Sequence, residues 1–195
     1  EAYVQPERLA GLCYGDAVAE QWGAPARTVD FYDAKADIEA LFWPEVAIFR
    51  AAPHPALHPG KSAQICLGEK IVGWLGELHS RWQQKTDLPR SAVLFELDLD
   101  LLTARTLSAA GEISKYPPVR RDIAVVVADS VSVQALLEGM QAEKPSIVAE
   151  ISLFDVYRGK GMENGKKSLA FRVLLQDTEK TLTDAEADLA ITKLL

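Results

Sequence analysis

The 195-residue chain is 48% apolar and carries 21 Lys and Arg against 28 Asp and Glu, a net charge of −7. That length suits two small domains, and the charge excludes a nucleic-acid binder that works by bulk positive charge. No run approaches the ~20 apolar residues of a membrane span, and Cys13 and Cys66, far apart, exclude a disulfide scaffold or a zinc knuckle.

In chain order, residues 9–14 form an apolar patch that reads as a strand cut from a larger sheet. Residues 33–43 read as a helix, because Ala34, Ile38, Leu41 and Phe42 fall on one stripe, with Asp30 or Asp33 as cap and Pro44 as stop. A short segment at 46–50 and a Pro/His-rich loop at 53–60 come next. A hairpin then has arms at 63–67 and 71–77, joined at Gly68-Glu69-Lys70. Residues 93–99 read as a strand in which Phe95 and Leu97 alternate with Glu96 and Asp98. A boundary is expected within 103–118, where periodicity fades and Pro117-Pro118 imposes an extended linker.

The second half has a cleaner order. Ile123, Val125 and Val127 place a strand at 122–127. Val133, Leu136, Leu137 and Met140 make one buried helical stripe. A long strand spans 146–157, with Ile147, Ala149, Ile151 and Leu153 on one face, and another spans 169–175, with Leu169, Phe171, Val173 and Leu175 together. Thr183 and Glu186 supply a capping box for a helix whose stripe is Ala187, Ala190, Ile191 and Leu194. The order β-α-β-β-α lacks one strand of a ferredoxin-like βαββαβ fold.

Charge is distributed unevenly. Residues 1–110 hold 10 Lys and Arg against 15 Asp and Glu; residues 111–195 hold 11 against 13, and 115–172 alone 9 against 7. RNA contact must therefore come from a local patch in the second half. The loop after Tyr157 carries Arg158, Lys160, Lys166 and Lys167. A phosphate-binding P-loop needs four residues between its first glycine and Gly-Lys, and Gly161 has only three before Gly165-Lys166. Two readings remain: a plain hairpin loop turned by Asn164-Gly165, or a cationic tip for nucleic-acid phosphates. At 115–122, Arg120 and Arg121 are either a solvated strand edge with an Asp partner or a phosphate clamp beside a stacking Tyr116. His54 and His58 flank Pro55 and cannot share a helical face, so no metal site is expected. No GxSxG or other readable catalytic motif is present.

The runs Tyr116-Pro117-Pro118-Val119-Arg120-Arg121-Asp122-Ile123-Ala124, Leu153-Phe154-Asp155-Val156-Tyr157-Arg158-Gly159 and Gly165-Lys166-Lys167-Ser168-Leu169-Ala170-Phe171-Arg172, with Thr181-Leu182-Thr183-Asp184, resemble the ferredoxin-fold anticodon-binding domain. That domain closes the beta subunit of bacterial phenylalanyl-tRNA synthetases. His58-Pro59-Gly60-Lys61-Ser62-Ala63, Gly73-Trp74-Leu75-Gly76-Glu77-Leu78-His79 and Val29-Asp30-Phe31-Tyr32-Asp33-Ala34-Lys35 are similar to the noncatalytic, class II-like core of the same subunit; Ser80 stands where the family has proline.

The resemblance implies an α+β chain: a partial class II synthetase-like mixed-sheet domain at 1–110, then a ferredoxin-like anticodon-binding domain at 111–195 whose last strand is absent from this chain. It implies no catalytic or metal-binding residues here, with ATP and Mg2+ serving the whole enzyme. The partners implied are tRNA-Phe and the alpha subunit in an (αβ)2 heterotetramer, with no membrane, in the cytoplasm. Tyr116, Arg120, Arg121, Phe154, Tyr157, Arg158, Lys160, Lys166 and Lys167 match the family's basic and aromatic positions and are the candidate RNA-binding residues. A subunit-assembly module without direct RNA contact is the alternative.

Overall fold

Period-two and period-3.6 apolar patterns alternate along the chain, and the structure resolves them as an α+β protein. It is a computed structural model that describes residues 3, 5–104, 111 and 113–195. The chain divides into two units, Glu1–Ser108 and Ala109–Leu195, each with its own core. The domain boundary expected near residue 110 lies among residues 105–110 and 112, outside the described residues.

The first unit runs β1 (Arg8–Cys13), α1 (Phe31–Phe42), β2 (Ile48–Ala51), β3 (Leu57–Leu67), β4 (Lys70–Leu78), α2 (Ser80–Lys85), β5 (Val93–Asp98) and α3 (Leu99–Thr103). Its strands form one antiparallel sheet in the order β1-β5-β4-β3-β2. α1 starts two residues earlier than expected because Asp30 caps it. The Asp30 carboxylate accepts the amides of Tyr32 (2.8 Å) and Asp33 (3.2 Å), and Asp33 accepts the amide of Asp30 in return at 2.9 Å. Caps of this kind contribute about 1 kcal/mol. The helix buries Ala34, Ile38 and Phe42 in a core with Ile65, Leu75, Val93 and Leu97 of the sheet.

The expected hairpin is present and tighter than foreseen, since Lys70 already belongs to β4 and Gly68 turns the chain at φ +56°. β3 also begins six residues before its expected start. Leu57 pairs with Leu78, the ladder shifts, and regular pairing resumes at Ser62. Pro59, lacking an N–H, falls in the unpaired stretch. The short helices α2 and α3 had no apolar stripe long enough to announce them.

The second unit runs β6 (Val119–Ala128), α4 (Val133–Ala142), β7 (Val148–Tyr157), β8 (Lys166–Leu175) and α5 (Asp184–Leu194). The sheet order is β6-β8-β7, antiparallel throughout. This is the order of the first five elements of a ferredoxin-like unit. Ser132 caps α4 by accepting the amide of Ala135 at 3.1 Å. The expected Thr183–Glu186 capping box opens α5. Central strand β8 supplies the core: Leu169, Phe171, Val173 and Leu175 are fully buried, with Met140 of α4 and Ala187, Ala190 and Leu194 of α5 in the same cluster. Burying each such large side chain is worth about 1.5–3 kcal/mol.

One expected face is wrong in phase. The alternation in the sequence puts Ala149 inward with Ile151 and Leu153, yet Val148 is the buried residue and Ala149 is exposed. β7 carries irregularities between Val148 and Glu150 and between Leu153 and Asp155, so Ala149 and Phe154 are extra residues in the ladder. Each extra residue resets the inward–outward alternation.

Candidate nucleic-acid interface

Because successive strand residues point to opposite faces, the residues between those buried under the helices emerge on the other side of the second sheet. Among the described residues of this unit, no helix covers that side. The register aligns Asp122, Arg172 and Ser152 as one row across its three strands. Ala124 and Ala170 sit one step along as a second pair, and their small side chains leave the middle of the face shallow.

The bulge at Phe154 brings an aromatic ring onto this face. Phe154 is 48% exposed, and the Arg172 guanidinium lies over its ring, 5.1 Å from the centroid. Asp122 accepts from Arg120 Nε at 3.1 Å and from Arg120 Nη2 at 2.8 Å, the fork geometry that suits a carboxylate. This hydrogen bonding from Arg120 holds the Asp122 carboxyl below the usual carboxylate range and raises the Arg120 guanidinium above its own. Arg172 Nε stands 3.5 Å from the same carboxylate and has no hydrogen-bond partner.

One end of the face is the β7–β8 hairpin. Tyr157 is 47% exposed, and its hydroxyl donates to the carbonyl of Lys160 at 3.0 Å, which fixes the ring against the loop. Arg158 pairs with Asp129 (3.2 Å) and Lys166 with Glu163 (2.7 Å). The Lys160 ammonium is exposed, with no acceptor among the described residues. Gly161 and Gly165 take φ of +98° and +78°, which a Cβ would strain. The loop joins two strands rather than a strand to a helix, so it is not a P-loop.

The candidate residues thus separate. Arg120, Phe154 and Tyr157 share the open face; Arg158, Lys160 and Lys166 ring its hairpin end. Arg121 points to the helix side, where it donates to Asp184 (2.7 Å) and Asp188 (3.1 Å) of α5. Lys167 is 5% exposed and donates to the Asp129 carbonyl at 3.0 Å. Tyr116 is half-buried before β6, its carbonyl accepting from Gln176 at 2.7 Å and the Lys115 ammonium 5.3 Å from its ring. Arg172 is not among the family-matched candidates, although its alternation with Phe171 and Val173 in the sequence marks it as outward-facing.

The remaining candidate chemistry is structural. His54, His58 and His79 each accept a backbone amide at Nδ1, from Ala56 (3.3 Å), Gly60 (3.1 Å) and Arg81 (3.2 Å) respectively. They serve as turn and helix caps. Among the described residues no group of three or more His, Cys, Asp or Glu is placed to hold a metal ion, and no described helix is long and apolar enough to cross a membrane.

Comparison with known proteins places the chain in a family. Residues 1–99 match the family described as the phenylalanyl tRNA synthetase beta chain CLM domain, and residues 114–195 match the ferredoxin-fold anticodon binding domain. The phenylalanine–tRNA ligase beta subunit of Nitrosospira multiformis is 68% identical over 195 residues, all of this chain and 25% of that protein. Those of Dechloromonas aromatica and Chromobacterium violaceum are 50% and 51% identical over 191 residues, 98% of this chain and 24% of each protein. The chain therefore spans about a quarter of the length of these curated relatives. With matched domains that follow one another along its length, as the motifs in both halves foreshadowed, the chain belongs to the phenylalanyl-tRNA synthetase beta chain family.

Proposed function

We propose that the open sheet face and hairpin of the second unit bind tRNA-Phe near its anticodon, in support of ATP-dependent charging of that tRNA with phenylalanine by the whole ligase. The observation that carries this reading is the exposure of Tyr157 on one uncovered sheet face with Arg120 and with Arg172, whose guanidinium lies over the Phe154 ring. Aromatic rings interleaved with guanidinium groups suit unstacked bases and the phosphates between them. The family name of residues 114–195 and the names of the relatives point the same way.

The first unit acts in this proposal as a noncatalytic core that packs in an (αβ)2 assembly with the alpha subunit, in the cytoplasm. In the same proposal ATP and magnesium serve the whole ligase, outside this chain.

The test is titration of tRNA-Phe against the assembled ligase and against this chain at several salt concentrations. Saturable binding is expected, with a log–log salt slope of about −2 for roughly three single-strand phosphate contacts. Tyr157→Ala is expected to cost about 1–3 kcal/mol of affinity, the value of one stacked base. Unchanged affinity in that variant would remove the sheet face from the RNA site. The net charge of −7 favours a second reading, an assembly module. A pair of reversals, Arg120→Glu with Lys160→Glu, separates the two: the RNA reading expects weak tRNA binding with intact assembly, the second reading the converse.

A further inference from the structure

We infer that Arg172 is the central phosphate contact of the open face and that Phe154 serves to position it rather than to stack on a base. The inference rests on the RNA-binding reading and names a residue within it.

Arg172 occupies the middle strand, in the row with Asp122 and Ser152, and its side chain is 40% exposed. Two contacts orient it. The Phe154 ring lies under the guanidinium, and Asp122 stands near Nε. Neither uses up its hydrogen-bonding capacity. Nε is buried without a partner, and among the described residues neither Nη group donates to an acceptor.

Asp122 spends both of its oxygens on Arg120, so one carboxylate faces two guanidiniums; Glu150 and Asp155 stand in the neighbouring rows of the same face, and among the described residues Arg172 has an ion-pair contact with Asp122 alone. A guanidinium with its Nη fork free matches two oxygens of a phosphate, because its parallel N–H donors reach both at once and the charges are opposite. Phe154, covered on that side by the guanidinium, offers no free ring there for a base. Its place in a β-bulge explains how an aromatic residue reaches under a side chain of the next strand. Bulges re-aim side chains in this way.

The experiment is tRNA-Phe titration against the assembled ligase over a range of salt, with thermal melts as a folding control. Arg172→Gln is expected to weaken binding about tenfold or more and to flatten the log–log salt slope by about 0.7, the contribution of one single-strand phosphate. Arg172→Lys, which keeps the charge and loses the fork, is expected to bind more weakly than wild type with its slope unchanged. Phe154→Ala is expected to weaken binding in the wild-type background and to add little to Arg172→Gln, a coupling that a double-mutant cycle reads directly. A stacking role for Phe154 would instead make the two losses add.

Wild-type affinity in Arg172→Gln overturns the assignment. So does weakened binding with an unaltered salt slope, which would put Arg172 on a base edge or in a purely structural role. Should Arg172→Gln fail to fold, Arg172→Lys decides: wild-type affinity there overturns the fork. If Tyr157→Ala weakens binding and the Arg172 variants do not, only this inference fails. If none of the variants changes binding, the sheet-face reading fails with it.

Discussion

Burying a lysine is unfavourable unless its ammonium is held, and Lys167, at 5% exposure, is held by the Asp129 carbonyl at 3.0 Å. Its neighbour Lys166 is exposed and paired with Glu163 at the loop. The pleat of β8 makes the difference, since Lys167 opposes Val127 on the inward phase and Lys166 opposes Ala128 on the outward one. Lys167→Met is expected to destabilise the second unit by about 1–3 kcal/mol, the value of a charged hydrogen bond and its orphaned acceptor, and to leave the salt slope of tRNA binding untouched. Thermal melts and titrations of one preparation check both halves; a flattened slope would return Lys167 to the RNA site. The same pleat parts Arg120 from Arg121. From the sequence these read as two basic pairs, because adjacent like charges look alike until the register of the strand is known. Their exposure follows from period two once the strand is fixed, and the same alternation makes Arg172 legible as an outward residue.

Elements were easier to read where a local signal marked them. The α5 capping box was visible as Thr183 followed three residues later by Glu186, and the structure adds that Lys180 also pairs with Glu186. The Lys180 ammonium and the Thr183 amide and hydroxyl hold the Glu186 carboxyl down at about 2, against an ordinary 4.5. A carboxyl depressed in the folded state stabilises fully above its unfolded value, and that contribution is lost as pH falls through the folded one. Melting temperature should therefore drop between about pH 4.5 and pH 2 in the wild type and less steeply in Glu186→Gln, so that the two curves converge in acid; parallel curves would refute the linkage.

The bulges in β7 left no such mark, because an extra residue in one strand is defined only against its partner. Close sheet contacts were equally silent. A Cβ on Gly73 would lie 2.2 Å from the Glu96 carbonyl oxygen and 2.8 Å from a Leu97 methyl. Gly73→Ala must force β4 from β5, at about 1–3 kcal/mol or more. All four tryptophans, Trp22, Trp43, Trp74 and Trp82, lie in the first unit, so a fluorescence-detected denaturant midpoint isolates this effect. An unmoved midpoint would show that the strands can part without loss.

At the scale of the whole chain, the α+β class and the order of most elements could be read from periodicity, whereas the short helices and the early start of β3 could not, having no period to declare. The net charge of −7 describes neither unit's surface well, because charges here are arranged in pairs. Arg120 and Arg172 share Asp122, Arg158 faces Asp129, and Lys166 faces Glu163. An incoming polyanion must therefore exchange with a carboxylate at Arg120, Arg158 and Lys166, and among the described residues of this face meets an open cation only at Lys160 and the Arg172 fork. A ligand whose phosphates fall at the right spacing recovers that exchange at several positions together; a strand that reaches only one gains little over what it displaces. Built-in competition of this kind separates partners by shape rather than by charge density. On the RNA-binding proposal, the carboxylates on this face would thus turn away polyanions whose phosphates do not match its spacing.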